Sequence, residues 1–383
     1  MVFSRLLSEH KASYPGVVLT VCGFILPFVT LKENRVVEGS GLRFWEGTPP
    51  VFTLLILALV LSAFVPAKKI KSEPRLWITG FLLYCALLAA VCASAAHLEL
   101  ERFPYGRISP SSGFWIMLCG SLLFMSYRKS WKDLLPILVP MVLLMTGRME
   151  GLGFIREYRN EEARFGAELL NHLRLSLSAV TGAVIIGVPS GVLAWRKKTF
   201  GAPVFGFVNS MQTIPSLALF GLLIAPLAWL SNRFPELREL GFRGVGRTPA
   251  LIALTLYALL PIVRNTYTGL AVIEESVLEA GRGMGMNRRQ LLFKIELPLG
   301  IPVILSGIRV SLVQTTGNTT VAALIGAGGL GYFVFRGLEQ AAPDLIIMGV
   351  IPIIVLVTLL DRLFGFLIRR VSMRKTEAPG DTA

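Results

Sequence analysis

The chain has 383 residues, 53% of them hydrophobic and 16% charged, with a mean hydropathy of +0.64 and a formal net charge of +14. Soluble domains carry about 25% charged residues, so this composition excludes one and defines a membrane protein. The basic excess sits in short clusters between apolar runs rather than on one patch, which excludes a nucleic-acid-binding reading. The alternating ten-residue segments of a closed β-barrel are absent as well.

Apolar runs fall near residues 15–31, 49–66, 76–96, 113–127, 134–147, 170–195, 203–230, 248–270, 299–322 and 345–368. A hydrocarbon core about 30 Å thick takes roughly 20 apolar residues per helix, so the pattern predicts an all-α polytopic fold of about ten transmembrane helices. The runs at 113 and 134 are short for a full crossing. Arg5 and Lys11 precede the first run as they would in a signal peptide, yet no small-residue cleavage site follows Leu31, and the first span is expected to stay. Cys22, Cys85, Cys92 and Cys119 lie inside apolar runs with no CxxC or Cys/His spacing, so neither a disulfide nor a metal site is expected.

Ten spans place alternate loops on opposite sides, which the Lys/Arg distribution can test. The loops on the side of the N-terminus hold 20 basic and 9 acidic residues; those on the other side hold 14 of each. Lys68, Lys69, Lys71 and Arg75, then Arg128, Lys129 and Lys132, then Arg196, Lys197 and Lys198 make up the most diagnostic short loops. Both termini are therefore expected in the cytoplasm. The polar stretch 148–168 marks a boundary between an N-terminal membrane region, 1–147, whose five spans carry no assignable motif, and a second region, 148–383.

Residues 279–298, EAGRGMGMNRRQLLFKIELP, fall in a loop placed on the cytoplasmic side, 271–298. A short helix from Glu274 to Gly283 would set Val277, Gly281 and Met284 in a narrow apolar stripe suited to a partner's groove. Gly283 and Gly285 interrupt it, and Asn287 then caps a second helix, with Gln290 completing a capping box. Arg288 and Arg289 sit near the positive end of that helix, as if facing an acidic or phosphate-rich neighbour. Pro298 is expected to end the second helix and send the chain back into the membrane.

This loop resembles the EAA motif of ABC importer permeases: Glu279, Ala280, Gly285, Ile295, Leu297 and Pro298 fit its spacing, and Gly281 stands where the family usually has alanine. MQTIPSLALFGLL at 211–223, PALIALTLYALLPIVRNTYTGL at 249–270 and IGAGGLGYFVFRGL at 325–338 are further similar to permeases for glycine betaine, choline and carnitine. The likeness covers about 170–370 and leaves the first five spans unexplained. It implies the fold of methionine and maltose importer permeases and a docking role for Glu279, Ala280, Gly281, Gly285, Ile295, Leu297 and Pro298. The implied partners are a separate ATPase subunit that binds ATP, a periplasmic substrate-binding protein and a second, identical or homologous permease.

Gln314, Thr315, Thr316, Asn318, Thr319 and Thr320 are too concentrated in one span to face lipid. They either line a pathway or supply interhelical hydrogen bonds. Asn209, Gln212, Thr213 and Pro215 form a second candidate lining. Tyr257, with Asn265 and Tyr267 on the same run, offers aromatic rings to a quaternary ammonium or serves as packing. Arg309 lies too deep in its span to snorkel and needs a partner; it either repels a cationic solute or locks two helices, and with no acid expected inside the core spans a carbonyl or subunit contact stands beside a transport role. Arg264, Asp361 and Arg362 read as end-of-span charges.

GAGGLG at 326–331 matches GxGxxG, but no strand precedes it, and a tight turn explains it better than a dinucleotide site. No GxxxxGK[ST] occurs, so the chain carries no cofactor of its own. His10, His97 and His172 form no catalytic arrangement, which speaks against a membrane enzyme. A secondary transporter would need intramembrane carboxylates. The sequence separates least well an osmoprotectant permease from an ABC permease for an amino acid or another small solute.

Overall fold

The computed structural model describes residues 14–34, 37–62, 72–98, 105–126, 135–239 and 241–376. Arg5, Lys11, Lys68, Lys69, Lys71, Arg128, Lys129 and Lys132, used above to orient the chain, lie outside the described residues. Two units are distinguished: Met1–Glu161 with Ala342–Leu345, and Glu162–Ala341 with Ile346–Ala383.

In the first unit, apolar helices α1 (Tyr14–Ile25), α3 (Pro50–Ser62), α4 (Ser72–His97), α5 (Ser112–Ser126) and α6 (Leu135–Met145) are joined by one-turn α2 (Phe44–Gly47) and capped by α7 (Gly153–Asn160). Glycines let α1 and α5 approach: a Cβ on Gly120 would stand 2.8 Å from the Gly16 carbonyl. Phe28, Phe44 and Phe114 meet edge to face in the core, at centroid separations of 4.5 and 5.7 Å from Phe28. The all-α expectation needs one correction. Strands β1 (Val29–Lys32), β2 (Ser40–Leu42) and β3 (Arg107–Pro110) form an antiparallel sheet in the order β2-β1-β3, with Thr30 opposite Gly41 and Ser109. The run predicted as a span over 15–31 thus ends its helix at Ile25 and finishes as a strand. Arg107 is buried and paired to buried Glu157 at 2.6 Å.

The second unit begins with α8 (Glu162–Arg196), 35 residues and about 50 Å long. α9 (Lys198–Thr213) and α10 (Ser216–Arg233) follow, so the run at 203–230 is broken at Ile214–Pro215 instead of forming one span. Pro215 disfavours helix at Ile214, whose ψ is 128°. After α11 (Pro235–Glu239) come α12 (Arg247–Ala271), α13 (Glu275–Gly283), α14 (Arg288–Leu291), α15 (Leu297–Thr319), α16 (Gly331–Glu339) and α17 (Pro343–Thr376). α12 is the central helix. Gly191 of α8 abuts Thr266, Gly307 of α15 abuts the Pro261 carbonyl, and Ser311 donates to the Ala258 carbonyl at 2.8 Å.

Six helices among the described residues are long and apolar enough to cross a membrane, with shorter apolar helices at Pro15–Ile25, Pro50–Ser62 and Ser112–Met125. The protein is therefore multi-pass.

Candidate functional site

The loop between α12 and α15 is built from local rules. α13 ends in a Schellman motif: Gly285 adopts φ +77°, its N–H reaches the Arg282 carbonyl at 2.9 Å, and the Met286 N–H reaches the Gly281 carbonyl at 3.2 Å. Gly285 alone makes the turn; Gly283 is helical and a Cβ there would meet nothing within 4 Å. The Asn287 side chain accepts from Arg289 N and Gln290 N at 3.0 and 2.9 Å, and Asn287 N donates to Gln290 Oε1 at 2.8 Å, closing the expected capping box.

Two expectations for this loop change. Gly281 leaves the expected stripe and is buried with Leu278, while Val277 and Met284 are exposed, as a face for a partner requires. A Cβ on Gly281 would lie 2.7 Å from Leu291 Cδ1 and 2.8 Å from Ile295 Cδ1, so the missing methyl is close packing rather than a weakened helix. Pro298 does not end a helix. It occupies the first turn of α15, and the chain runs on from Arg288 to Thr319 through a π-turn at Leu292–Glu296.

Glu296, absent from the sequence-based site, is buried and pairs with Arg196 at the end of α8 at 3.2 Å; Arg196 also donates to the Arg288 carbonyl at 3.0 Å. The separation of 100 residues hides this brace from local reading. Glu279 and Ala280 are exposed, as are Met284 and Phe293, and Glu275 pairs with Arg282 at 2.7 Å. The loop thus presents a mixed surface of charged residues of both signs and apolar ones, with Arg282, Arg288, Arg289 and Lys294 exposed beside Glu274, Glu275 and Glu279.

The polar residues of α15 separate by face. Thr315, Thr316 and Thr319 are buried, and Thr316 and Thr319 return their hydroxyls to the carbonyls four residues back at 2.7 and 2.8 Å. Gln314, Asn318 and Thr320 are half-buried. Asn209 and Thr213 are exposed on α9, beside half-buried Gln212. Tyr257 is buried; its hydroxyl donates to the Ile214 carbonyl and Gln212 donates to the Tyr257 carbonyl at 3.0 Å, which braces the break between α9 and α10. A hollow of about 370 Å³ lies between Phe205, Asn209, Leu260, Arg264, Tyr267 and Thr268. Phe205 and Tyr267 meet edge to face there, 5.4 Å apart.

At the opposite end of α8 from Arg196, the glycine loop is clamped. Gly326, Gly328 and Gly329 have φ of +78°, +75° and +87°. Glu168 accepts from Gly329 N at 2.6 Å, Asn171 donates to the Ala327 carbonyl at 2.8 Å, and buried His172 spans Leu330 N and the Thr316 carbonyl. Because Nδ1 accepts from the Leu330 N–H at 3.3 Å, Nε2 carries the proton that it donates to Thr316 at 3.0 Å.

Asp361 corrects the reading of the core as free of internal acids. It lies within α17 and binds Arg309 of α15 at two points, Nε to Oδ1 and Nη2 to Oδ2, both 2.6 Å. Hydropathy alone had placed it at a span end.

Comparison with known proteins agrees with this class. Residues 183–373 match the family described as binding-protein-dependent transport system inner membrane component, and residues 13–152 match the ABC transporter permease YehY N-terminal domain. The chain belongs to the family of binding-protein-dependent inner-membrane permeases of ABC importers, and its relatives include permeases named for osmoprotectant systems. It is 40% identical over 211 residues to the glycine betaine/carnitine/choline transport system permease protein OpuCB of Bacillus subtilis, covering 54% of this chain and 90% of that protein. It is 42% identical over 205 residues to the osmoprotectant import permease protein OsmW of Salmonella typhimurium, covering 53% and 90%. OpuCD of Bacillus subtilis matches at 37% over 206 residues, covering 54% and 83%. Among solved structures, an inward-facing MetNI methionine ABC transporter chain aligns at 23% identity with a TM-score of 0.46, over 53% of this chain and 93% of that one.

Proposed function

We propose that this chain is the translocating subunit of an ATP-driven importer that brings glycine betaine or a related quaternary ammonium osmoprotectant into the cytoplasm. The observation that carries the reading is the loop 271–298: its surface is exposed, while its base is fixed by Gly285, the Asn287 cap and the Arg196–Glu296 pair. Such a surface suits a groove on a separate ATPase subunit. Glu279 and Ala280 meet that groove directly, whereas Gly281, Gly285, Ile295, Leu297 and Pro298 hold the shape. A movement of the ATPase passes through the stiff Arg288–Thr319 helix toward the membrane interior.

The pathway is completed by a second permease, identical or homologous, against the polar surface of α9 and α15. Asn209, Thr213, Gln314 and Asn318 are open enough to line it; buried Thr315, Thr316, Thr319 and Tyr257 hold its wall in place. Relatives named OpuCB and OpuCD both resembling this chain supports such a pairing. The hollow at Phe205, Tyr267 and Arg264 has aromatic rings for an ammonium and a guanidinium for a carboxylate, which suits a zwitterion. Cargo is delivered by a periplasmic binding protein, ATP is held by the partner ATPase, and the chain itself is not an enzyme. The chain sits in the inner membrane with about ten spans and both termini in the cytoplasm; residues 148–383 contain the transport core, which begins within them at Glu162, and 1–147 belong to a separate membrane region.

The test is uptake of labelled glycine betaine, compared with amino acids, into vesicles holding the chain, its ATPase and its binding protein. ATP-dependent accumulation of betaine is expected. Accumulation driven by an ion gradient without ATP, or of amino acids alone, would sink the reading.

A further inference from the structure

The transport role leaves the N-terminal unit without a task, and this unit holds a hollow of about 840 Å³. The space arises from sequence. Ala89, Cys92, Ala93, Ala95 and Ala96 put a run of small side chains on α4 where larger ones would fill the bundle, and Phe52 and Leu143 extend the apolar wall.

The opposite wall is basic. Arg148, Arg156 and Arg159 line it with a single acid, Glu150, which is taken by Arg159 at 2.5 Å. The guanidinium groups of Arg148 and Arg156 have no carboxylate or hydrogen-bond partner among the described residues. Burial and the like charges of Arg107 and Arg159 push the Arg156 guanidinium below its ordinary range.

An apolar wall facing two guanidinium groups that have no carboxylate partner among the described residues matches an anionic amphiphile: phosphate pairs well with arginine, and alkyl chain covers alanine and phenylalanine. A free phosphate would use the arginines and leave the apolar wall wet. We propose that the hollow is a site for an anionic phospholipid, its phosphate at Arg148 and Arg156 and its acyl chain along Ala89, Cys92, Ala93 and Ala96.

The experiment uses the full chain, purified with phosphatidylglycerol or phosphatidylcholine, with retained lipid counted by native mass spectrometry. The wild-type chain should keep phosphatidylglycerol in preference to phosphatidylcholine by roughly tenfold. R148Q with R156Q should lose that preference. Ala93→Phe fills the apolar wall, keeps every charge and should lose it too; it keeps the proposal testable if the double variant fails to fold. Inorganic phosphate should not displace the lipid. Equal retention of both lipids by wild type, unchanged retention in the variants, or displacement by inorganic phosphate with Ala93→Phe unaffected would each overturn the site, the last by making it a small-anion site.

Discussion

The guanidinium of Arg309 and the carboxylate of Asp361 face each other in a two-point ion pair, 2.6 Å at both contacts, between two membrane-spanning helices. The pair is 38% and 35% exposed in the single chain, so its value lies between that of an exposed pair and a buried one. Asp361→Ala should destabilise the protein by about 1–3 kcal/mol because it leaves a charge in an apolar layer. Arg309→Met with Asp361→Leu should recover most of the loss. Thermal unfolding in detergent reads both; a double variant as unstable as Asp361→Ala would show that the pair does more than lock two helices.

Gly285 and Gly283 stand two residues apart and have opposite requirements. Gly285→Val forces a β-branched residue to φ +77° at a cost of about 1–2 kcal/mol, and it should misplace α13. Gly283→Ala adds a methyl into open space within a helix and should be neutral or gain up to about 1 kcal/mol. Uptake should fall in the first variant and persist in the second.

The glycine loop depends on His172. His172→Leu leaves the Leu330 N–H and the Thr316 carbonyl without partners, and the Thr320 N–H already bonds to Gly317, so each orphaned group costs about 1–3 kcal/mol. Gly331→Ala is expected to be worse tolerated than a substitution at exposed Gly317, since a Cβ at 331 would lie 1.9 Å from the Thr320 carbonyl oxygen. Expression level and melting temperature of the purified variants check both.

Arg196→Met should strand the buried Glu296 carboxylate, costing about 3 kcal/mol, the lower end for a broken buried pair because Arg196 is itself 30% exposed. Limited proteolysis of the loop 271–298 should accelerate in this variant. Adding Glu296→Leu should slow it again.

What was legible in the sequence was local. The Asn287–Gln290 capping box needs only residues three apart, and α12, Arg247–Ala271, follows its apolar run at 248–270. Pairs far apart in sequence were not legible: Asp361 next to Arg362 reads as the end of a span, although α17 continues to Thr376, and its partner is 52 residues away. The sheet was hidden for a different reason. β1 is only Val29–Lys32 and continues an apolar run, so hydropathy merged it with α1. Of the α13 stripe only Gly281 is covered within the chain, by Leu291 and Ile295, because spacing at i, i+4 and i+7 does not reveal neighbours ten or more residues away; Val277 and Met284 stay outside.

The central claim is that the loop 271–298 transmits ATP hydrolysis to a pathway in this chain. The direct measurement is ATP hydrolysis and glycine betaine uptake recorded together in vesicles holding the full transporter with Glu279→Lys. Uptake should fall by roughly tenfold or more, as expected for the loss of more than 1.4 kcal/mol of coupling, while the variant still inserts and hydrolysis continues. Unchanged uptake per ATP, or a variant that no longer enters the membrane, would contradict it.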